Sequence, residues 1–191
     1  MASNINNKYD FTGKVALVTG SSSGIGAAIA LQFAQYGAQV TITGRNAETL
    51  TNVGQQINEQ TGKQALQVIG DLQKDDSLPA RLINETVAHF GRLDFLVNNA
   101  GSATPNDKLS NENLLQEYDQ LFRLNLRSAI ELIHLAVPHL EKTKGNIINI
   151  SSIASLRPVS TTVKTFMLSF IIQVYLFRKV LNTIFLVFVG I

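Results

Sequence analysis

The sequence has no cysteine, which excludes a disulfide framework and any thiolate metal site. No other metal-ligand pattern is read either, so the metal expectation is none. It also lacks a basic cluster interleaved with aromatics, and a net charge of +2 on 191 residues gives no argument for nucleic acid. The start, MASNINNKYD, has no basic-then-apolar run of the secretory kind. A cytoplasmic location is the expectation compatible with these features. The length suits one domain with enough apolar content for a sizeable core.

One further absence divides the chain. No acidic residue follows Glu141, and the last 27 residues, Thr165 to Ile191, carry only Arg178 and Lys179 as charges. Nineteen of those 27 are apolar, and five of the ten Phe lie among them. Residues 1–164 balance 14 basic against 14 acidic side chains, so the whole net charge comes from the tail. Two composition regimes therefore meet near Lys164, and the expected organisation is a domain over 1–164 and an apolar tail over 165–191.

Up to Lys164, short apolar runs alternate with helical patterns. KVALVT (14–19), QVTIT (39–43), QALQVIG (64–70), LDFLVNN (93–99) and NIINI (146–150) read as strands. Helices are expected over 24–36, about 46–60, 75–90 and about 111–141, the last containing Pro138 near its end. This alternation predicts an α/β fold, a doubly wound parallel sheet with right-handed crossovers. The strand order expected is 3-2-1-4-5, Rossmann-like and incomplete at the C-terminus.

Glycines locate the candidate site. TGSSSGIG places Gly20, Gly24 and Gly26 where the first strand meets the first helix. Glycine there lets the backbone turn tightly and approach a phosphate, and the helix start offers free N–H groups and the positive end of its dipole. Such turns also occur as plain loops. Position in the first βαβ unit favours a dinucleotide, with Ser22, Ser23 and Ile25 completing the loop and Ser21 to Ser23 as candidate hydroxyl donors.

An acidic residue at the end of the second strand would bond a ribose 2′-hydroxyl. Here the sequence is TGRN, with Gly44 and Arg45. A guanidinium pairs with a 2′-phosphate, so NADP(H) is favoured over NAD(H). The plainer alternative is that Arg45 is a solvated loop charge.

With NNAG at 98–101 added, the pattern resembles the short-chain dehydrogenase/reductase family, of the compact single-domain type. The matching segments are TGSSSGIG, GD (70–71), NNAG, FRLNLRS around Asn125, and GNIINISSIASLRPV (145–159). The resemblance covers about residues 11–160. It implies that Asp71 and Leu72 flank the adenine, and that Asn99, Ala100 and Gly101 line the cofactor. It also implies that Asn125 holds a water linked to a catalytic Lys, and that Ser152 bonds the substrate oxygen. Judged locally, Asn125 shares a helix face with Tyr118, Phe122 and Ala129 and could equally be a hydrogen-bonded core Asn. In the family mechanism a Tyr acts as general acid/base with its pKa lowered by a nearby Lys, while the nicotinamide exchanges hydride with a small carbonyl or alcohol.

That Tyr normally lies about thirteen residues beyond the Ser, with its Lys four further, one helical turn on. Counted from Ser152, the positions hold Thr165 and Ser169. Thr offers no phenol and Ser no positive charge. Tyr175 and Lys179 restore the four-residue spacing ten residues later, and enter only as an alternative pair. The chain is therefore expected to bind cofactor with little or no turnover. The alternative is a non-catalytic or non-functional truncated isoform.

Three readings of the tail compete. A membrane anchor needs about 20 predominantly apolar residues, and Arg178 and Lys179 interrupt the run, though surface association stays open. A makeshift helix over the open sheet is the second. The third is an unselected, aggregation-prone segment, a splice or read-through product joined near Val163–Lys164. No further strand is expected in the tail, so NIINI is expected at an open sheet edge. The resemblance implies dimerisation through a helix pair, and one helix of that pair is not found, which argues against a homo-oligomer.

Overall fold

The computed structural model describes residues 9–102, 112–152 and 184–189. Strand β1 (Val15–Val18) is buried on both faces, as expected of a central parallel strand read from a continuous apolar run. It leads into α1 (Gly24–Gln35), then β2 (Gln39–Gly44), α2 (Ala47–Thr61) and β3 (Leu66–Ile69). Helix α3 (Leu78–Phe90) and strand β4 (Phe95–Asn98) follow. After α4 (Leu114–Phe122) come a π-helical turn (Arg123–Arg127), α5 (Ser128–Thr143) and β5 (Asn146–Ser152). Strand β6 (Ile184–Val189) is the last element described.

The sheet order is β3-β2-β1-β4-β5-β6, every pair parallel. Alternation along each strand sends side chains to two cores. Leu17, Leu96 and Ile147 meet Leu82, Leu132, Ala136 and Leu140 of α3 and α5. Ala16, Val18, Ile42 and Val97 meet Ala30, Ala34, Leu50 and Ile57 of α1 and α2. Burying each large aliphatic side chain stabilises the fold by roughly 1.5–3 kcal/mol.

The expected order 3-2-1-4-5 is present, with one addition. The tail supplies a sixth strand, so NIINI is not at an open edge: Ile147 to Ser152 pair with Ile184 to Val189. The run IFLVFV consists of β-branched, aromatic and aliphatic residues, and an unpaired strand edge is a template for such a segment. At these six residues the makeshift-helix reading gives way to a strand.

Two helix expectations also change. The start of α3 moves from 75 to Leu78 because Asp75 folds back on its own loop, accepting the Ser77 N–H and hydroxyl at 2.9 and 2.6 Å. The helix expected over 111–141 is interrupted by the π turn, and α5 runs on through Pro138 to Thr143. One extra residue per turn shifts the register between Phe122 and Ser128, so the face drawn at α-helical steps from Tyr118 to Ala129 is not continuous.

At the N-terminal ends of the strands, Asp94 fastens the sheet. Its buried carboxylate takes two hydrogen bonds from Arg92 at 2.6 and 2.7 Å, one from Lys14 at 3.2 Å and the Val15 N–H at 3.0 Å. Burial raises the pKa of this carboxyl, but Arg92, the Val15 N–H and Lys14 outweigh it and hold it below the ordinary value. Among the described residues no helix is long and apolar enough to cross a membrane.

Candidate functional site

A cleft of about 200 Å³ opens at the C-terminal ends of the strands. This is where an open parallel sheet has its crevice. One wall is the turn after β1, with Gly20, Ser22 and Ser23; beside it lie Thr43, Gly44 and Arg45 at the end of β2. The opposite walls are Gly70, Asp71 and Leu72 after β3, Ala100, Gly101 and Ser102 after β4, and Leu124 in the π turn.

The turn after β1 is held from beneath. The Thr19 hydroxyl accepts the N–H groups of Asn99 and Ala100, both at 3.0 Å, and donates to the Val97 carbonyl at 3.3 Å. The Asn99 carboxamide donates to the carbonyls of Thr19 and Gly20 at 2.9 and 3.1 Å. Gly20 has a φ of 61°. A Cβ there would also stand 2.9 Å from Ala100 Cα, so only glycine fits. At Gly26 a Cβ would collide with the Gly20 carbonyl and the Asn99 carboxamide. Glycine thus lets α1 start directly against the turn. Ser23 makes no side-chain cap to α1, which leaves the first-turn N–H groups of a 12-residue helix without that partner.

Of the residues singled out in the sequence, ten line the cleft: Gly20, Ser22, Ser23, Gly44 and Arg45 on one side, and Gly70, Asp71, Leu72, Ala100 and Gly101 on the other. Leu72 is mostly buried in the core and shows the cleft only its margin. Gly24, Ile25, Gly26 and Asn99 are not among the lining residues: Gly24 and Ile25 are exposed, Gly26 packs against the turn, and Asn99 is spent on it. Ser21 differs from expectation. It is fully buried, donating to the Val18 carbonyl at 2.7 Å and accepting the Thr43 N–H at 2.9 Å, so it joins β1 to β2 and is not a hydroxyl for a ligand.

Arg45 is exposed at the cleft and has no ion-pair partner among the described residues. Asn46 caps α2 through the Thr49 N–H at 3.1 Å. No carboxylate lies at the end of β2 to occupy the guanidinium.

Asn125 sits in the π turn and binds backbone, accepting the Ser102 N–H at 2.9 Å and donating to the Ser102 carbonyl at 2.8 Å. It thereby fixes the strand exit after NNAG. The π turn also carries Arg123, which pairs with Asp76 and with Glu131 at 2.8 Å; Arg127 pairs with Glu131 at 2.8 Å. Burial raises the pKa of Glu131, and Arg127 and Arg123 together bring it below the ordinary value. Ser152 is the last residue of β5. Tyr175 and Lys179 lie outside the described residues, as do Thr165 and Ser169.

Ser102, Thr43 and Leu124 line the cleft although sequence reasoning did not select them. Ser102 follows NNAG directly and could have been found by extending that motif one residue. Leu124 carries no such signal.

The fit to a dinucleotide rests on this geometry: a turn with no room for a Cβ, helix N–H groups without a side-chain cap, and a cation at the end of β2 with no ion-pair partner among the described residues. Comparison with known proteins points the same way. A family model described as short chain dehydrogenase matches residues 14–164. L-fucose dehydrogenase of Rattus norvegicus is 45% identical over 143 residues, which is 75% of this chain and 50% of that protein. Glucose dehydrogenase of Caenorhabditis elegans in its apo form superposes with a TM-score of 0.65 at 46% identity, covering 75% of this chain and 56% of that one. L-sorbose reductase from Gluconobacter frateurii, complexed with NADPH and L-sorbose, gives a TM-score of 0.80 at 28% identity, covering 87% and 62%. The chain spans about half the length of the L-fucose dehydrogenases it matches. With its sheet order, its glycine turn and a family match over most of its length, the chain belongs to the short-chain dehydrogenase/reductase family, whose fold binds nicotinamide dinucleotides.

Proposed function

We propose that this chain binds NADP(H) in the cleft and turns over carbonyl or alcohol substrates slowly or not at all. One observation carries the reading. Counted from Ser152, the positions at which the family has its Tyr and Lys hold Thr165 and Ser169. A Thr hydroxyl does not ionise near neutral pH, and a Ser supplies no charge to lower a neighbouring pKa.

The bound nicotinamide supplies hydride chemistry in this family. The chain's own residues supply the holding. The first-turn N–H groups of α1 and the Gly20–Ser23 backbone face the pyrophosphate. Arg45 pairs with the 2′-phosphate, and Asp71 and Leu72 border the adenine. Ala100 and Gly101 carry the cofactor past β4, and Asn125 holds that exit through Ser102. By the family resemblance Ser152 would bond a substrate oxygen, while the sequence offers no Tyr and Lys at the family spacing to move the proton. The NADPH complex of L-sorbose reductase supports the choice of cofactor by likeness.

The test is an NADPH titration of the purified chain followed by nicotinamide fluorescence, with NADH as the comparison and a panel of small ketones and aldehydes for turnover. Saturable binding that favours NADPH, with no consumption of it, is the expected result. Turnover abolished by Tyr175→Phe overturns the non-catalytic part and restores Tyr175 and Lys179 as a working pair. Failure to bind NADPH overturns the whole reading.

A further inference from the structure

We infer that the Arg123–Asp76 ion pair is a latch between two segments that line the cleft and sets its affinity for the adenosine half of the cofactor. This rests on the cofactor-binding reading above. Asp76 belongs to the loop between β3 and α3, whose Asp71 and Leu72 line the cleft. Arg123 opens the π turn, whose next residue, Leu124, lines it as well. The pair therefore joins two segments that meet nowhere in sequence, each one short step from the cleft.

The loop is cross-linked by its own hydrogen bonds. Asp71 accepts the Gln73 N–H at 2.9 Å through its side chain and the Asp75 N–H at 2.8 Å through its backbone. Ser77 is bound to Asp75 through both its N–H and its hydroxyl. A second, weaker tie runs in parallel, from the Gln73 carboxamide to Gln120 at 3.4 Å. On the other side the guanidinium of Arg123 is mostly buried, its side chain 13% exposed, and Glu131 holds it in place. Arg127 holds Glu131 in turn. Asp76 itself is 86% exposed. Such a carboxylate adds little to global stability. Its position, reaching the one cation of the π turn that neighbours the cleft wall, gives it a local effect instead.

That asymmetry makes Asp76→Asn the clean variant. Arg123 keeps Glu131, so no buried charge is stranded, and the melting temperature stays close to that of the unaltered chain. Arg123→Gln is the companion, and the double variant closes a thermodynamic cycle. Two readouts are taken on each: Kd for NADPH and for 2′,5′-ADP, and hydrogen exchange of the amides of residues 71–77.

The latch predicts that each single variant weakens both ligands about threefold, that the double variant is no weaker than Arg123→Gln alone, and that exchange in 71–77 quickens. Unchanged Kd values with unchanged exchange overturn it. A lowered melting temperature with unchanged Kd also overturns it, because the pair is then only structural. If the unaltered chain binds neither ligand, the cofactor reading fails and the affinity claim fails with it. The exchange data then still decide whether the pair holds the loop.

Discussion

Thr19 and Asn99 hold each other at the floor of the cleft: the Thr19 hydroxyl accepts the Asn99 N–H at 3.0 Å, and the Asn99 carboxamide donates to the Thr19 carbonyl at 2.9 Å. Thr19 is 1% exposed, and the two N–H groups it serves belong to the partly buried Asn99 and Ala100. Thr19→Val keeps the shape and removes the acceptor. It should destabilise the chain by about 1–3 kcal/mol, the cost of a buried donor left without its acceptor. Urea unfolding followed by circular dichroism would read this directly, and a loss under half a kcal/mol would count against the arrangement.

The same floor makes Gly26 intolerant of a side chain. Gly26→Ala would push a methyl group into the Gly20 carbonyl and the Asn99 carboxamide. Overpacking of this kind costs about 1–3 kcal/mol. On the proposed cofactor reading NADPH affinity should fall as well, because the displaced atoms shape the turn that would hold the phosphates. Gly24→Ala is the comparison: a Cβ there meets nothing within 4 Å, and its cost comes from a φ of 55° alone.

On the proposed NADP(H) reading, Arg45 is the residue that would discriminate between the cofactors. Arg45→Ala should weaken NADPH by roughly tenfold or more, as a lost charge-assisted hydrogen bond of about 1.5–3 kcal/mol implies. NADH, with no 2′-phosphate, should bind as before. Equal losses for both would mean that Arg45 does not read the phosphate.

Acid sensitivity should trace to Asp94 at the far end of the sheet. Its pKa in the fold lies below the ordinary carboxylate value, so the stability it contributes is complete above about pH 4 and is lost as pH falls through the lowered folded value. Asp94→Asn should remove that part of the pH dependence and cost about 1–3 kcal/mol near neutrality. Arg92 and Lys14 are both 40% exposed and rehydrate when the carboxylate is gone, which keeps the loss at that modest level. Unfolding curves at a series of acidic pH values for both proteins provide the comparison.

How much of this was legible in the sequence depends on the range of the interaction that makes each feature. Strands β1 to β5 and the glycine turn follow from local runs and spacing, and the structure has them where those signals lie. The π turn was hidden because one extra residue in a helix leaves almost no trace in a period of 3.6. The partner of Asn125 was hidden for a different reason: it is the Ser102 backbone, 23 residues earlier, and any residue type except proline could supply it. Strand β6 was missed because IFLVFV lies in a stretch apolar on every side, where periodicity does not separate strand from helix. The fate of Ser21 turned on burial, which three adjacent serines do not reveal.

The place of β1 in the sheet has a consequence for synthesis. It is the first strand made, yet one of its neighbours is β4, and the bonds that close this side join residues about 80 positions apart, as between Thr19 and Asn99. On a ribosome emitting about 5–20 residues per second, that edge waits roughly 4–16 s for its partner. Until Asn99 has left the exit tunnel, the glycine turn has nothing beneath it and the wholly apolar strand β1 has a bare side. A chaperone or nearby ligand would find the nascent chain most in need during that interval.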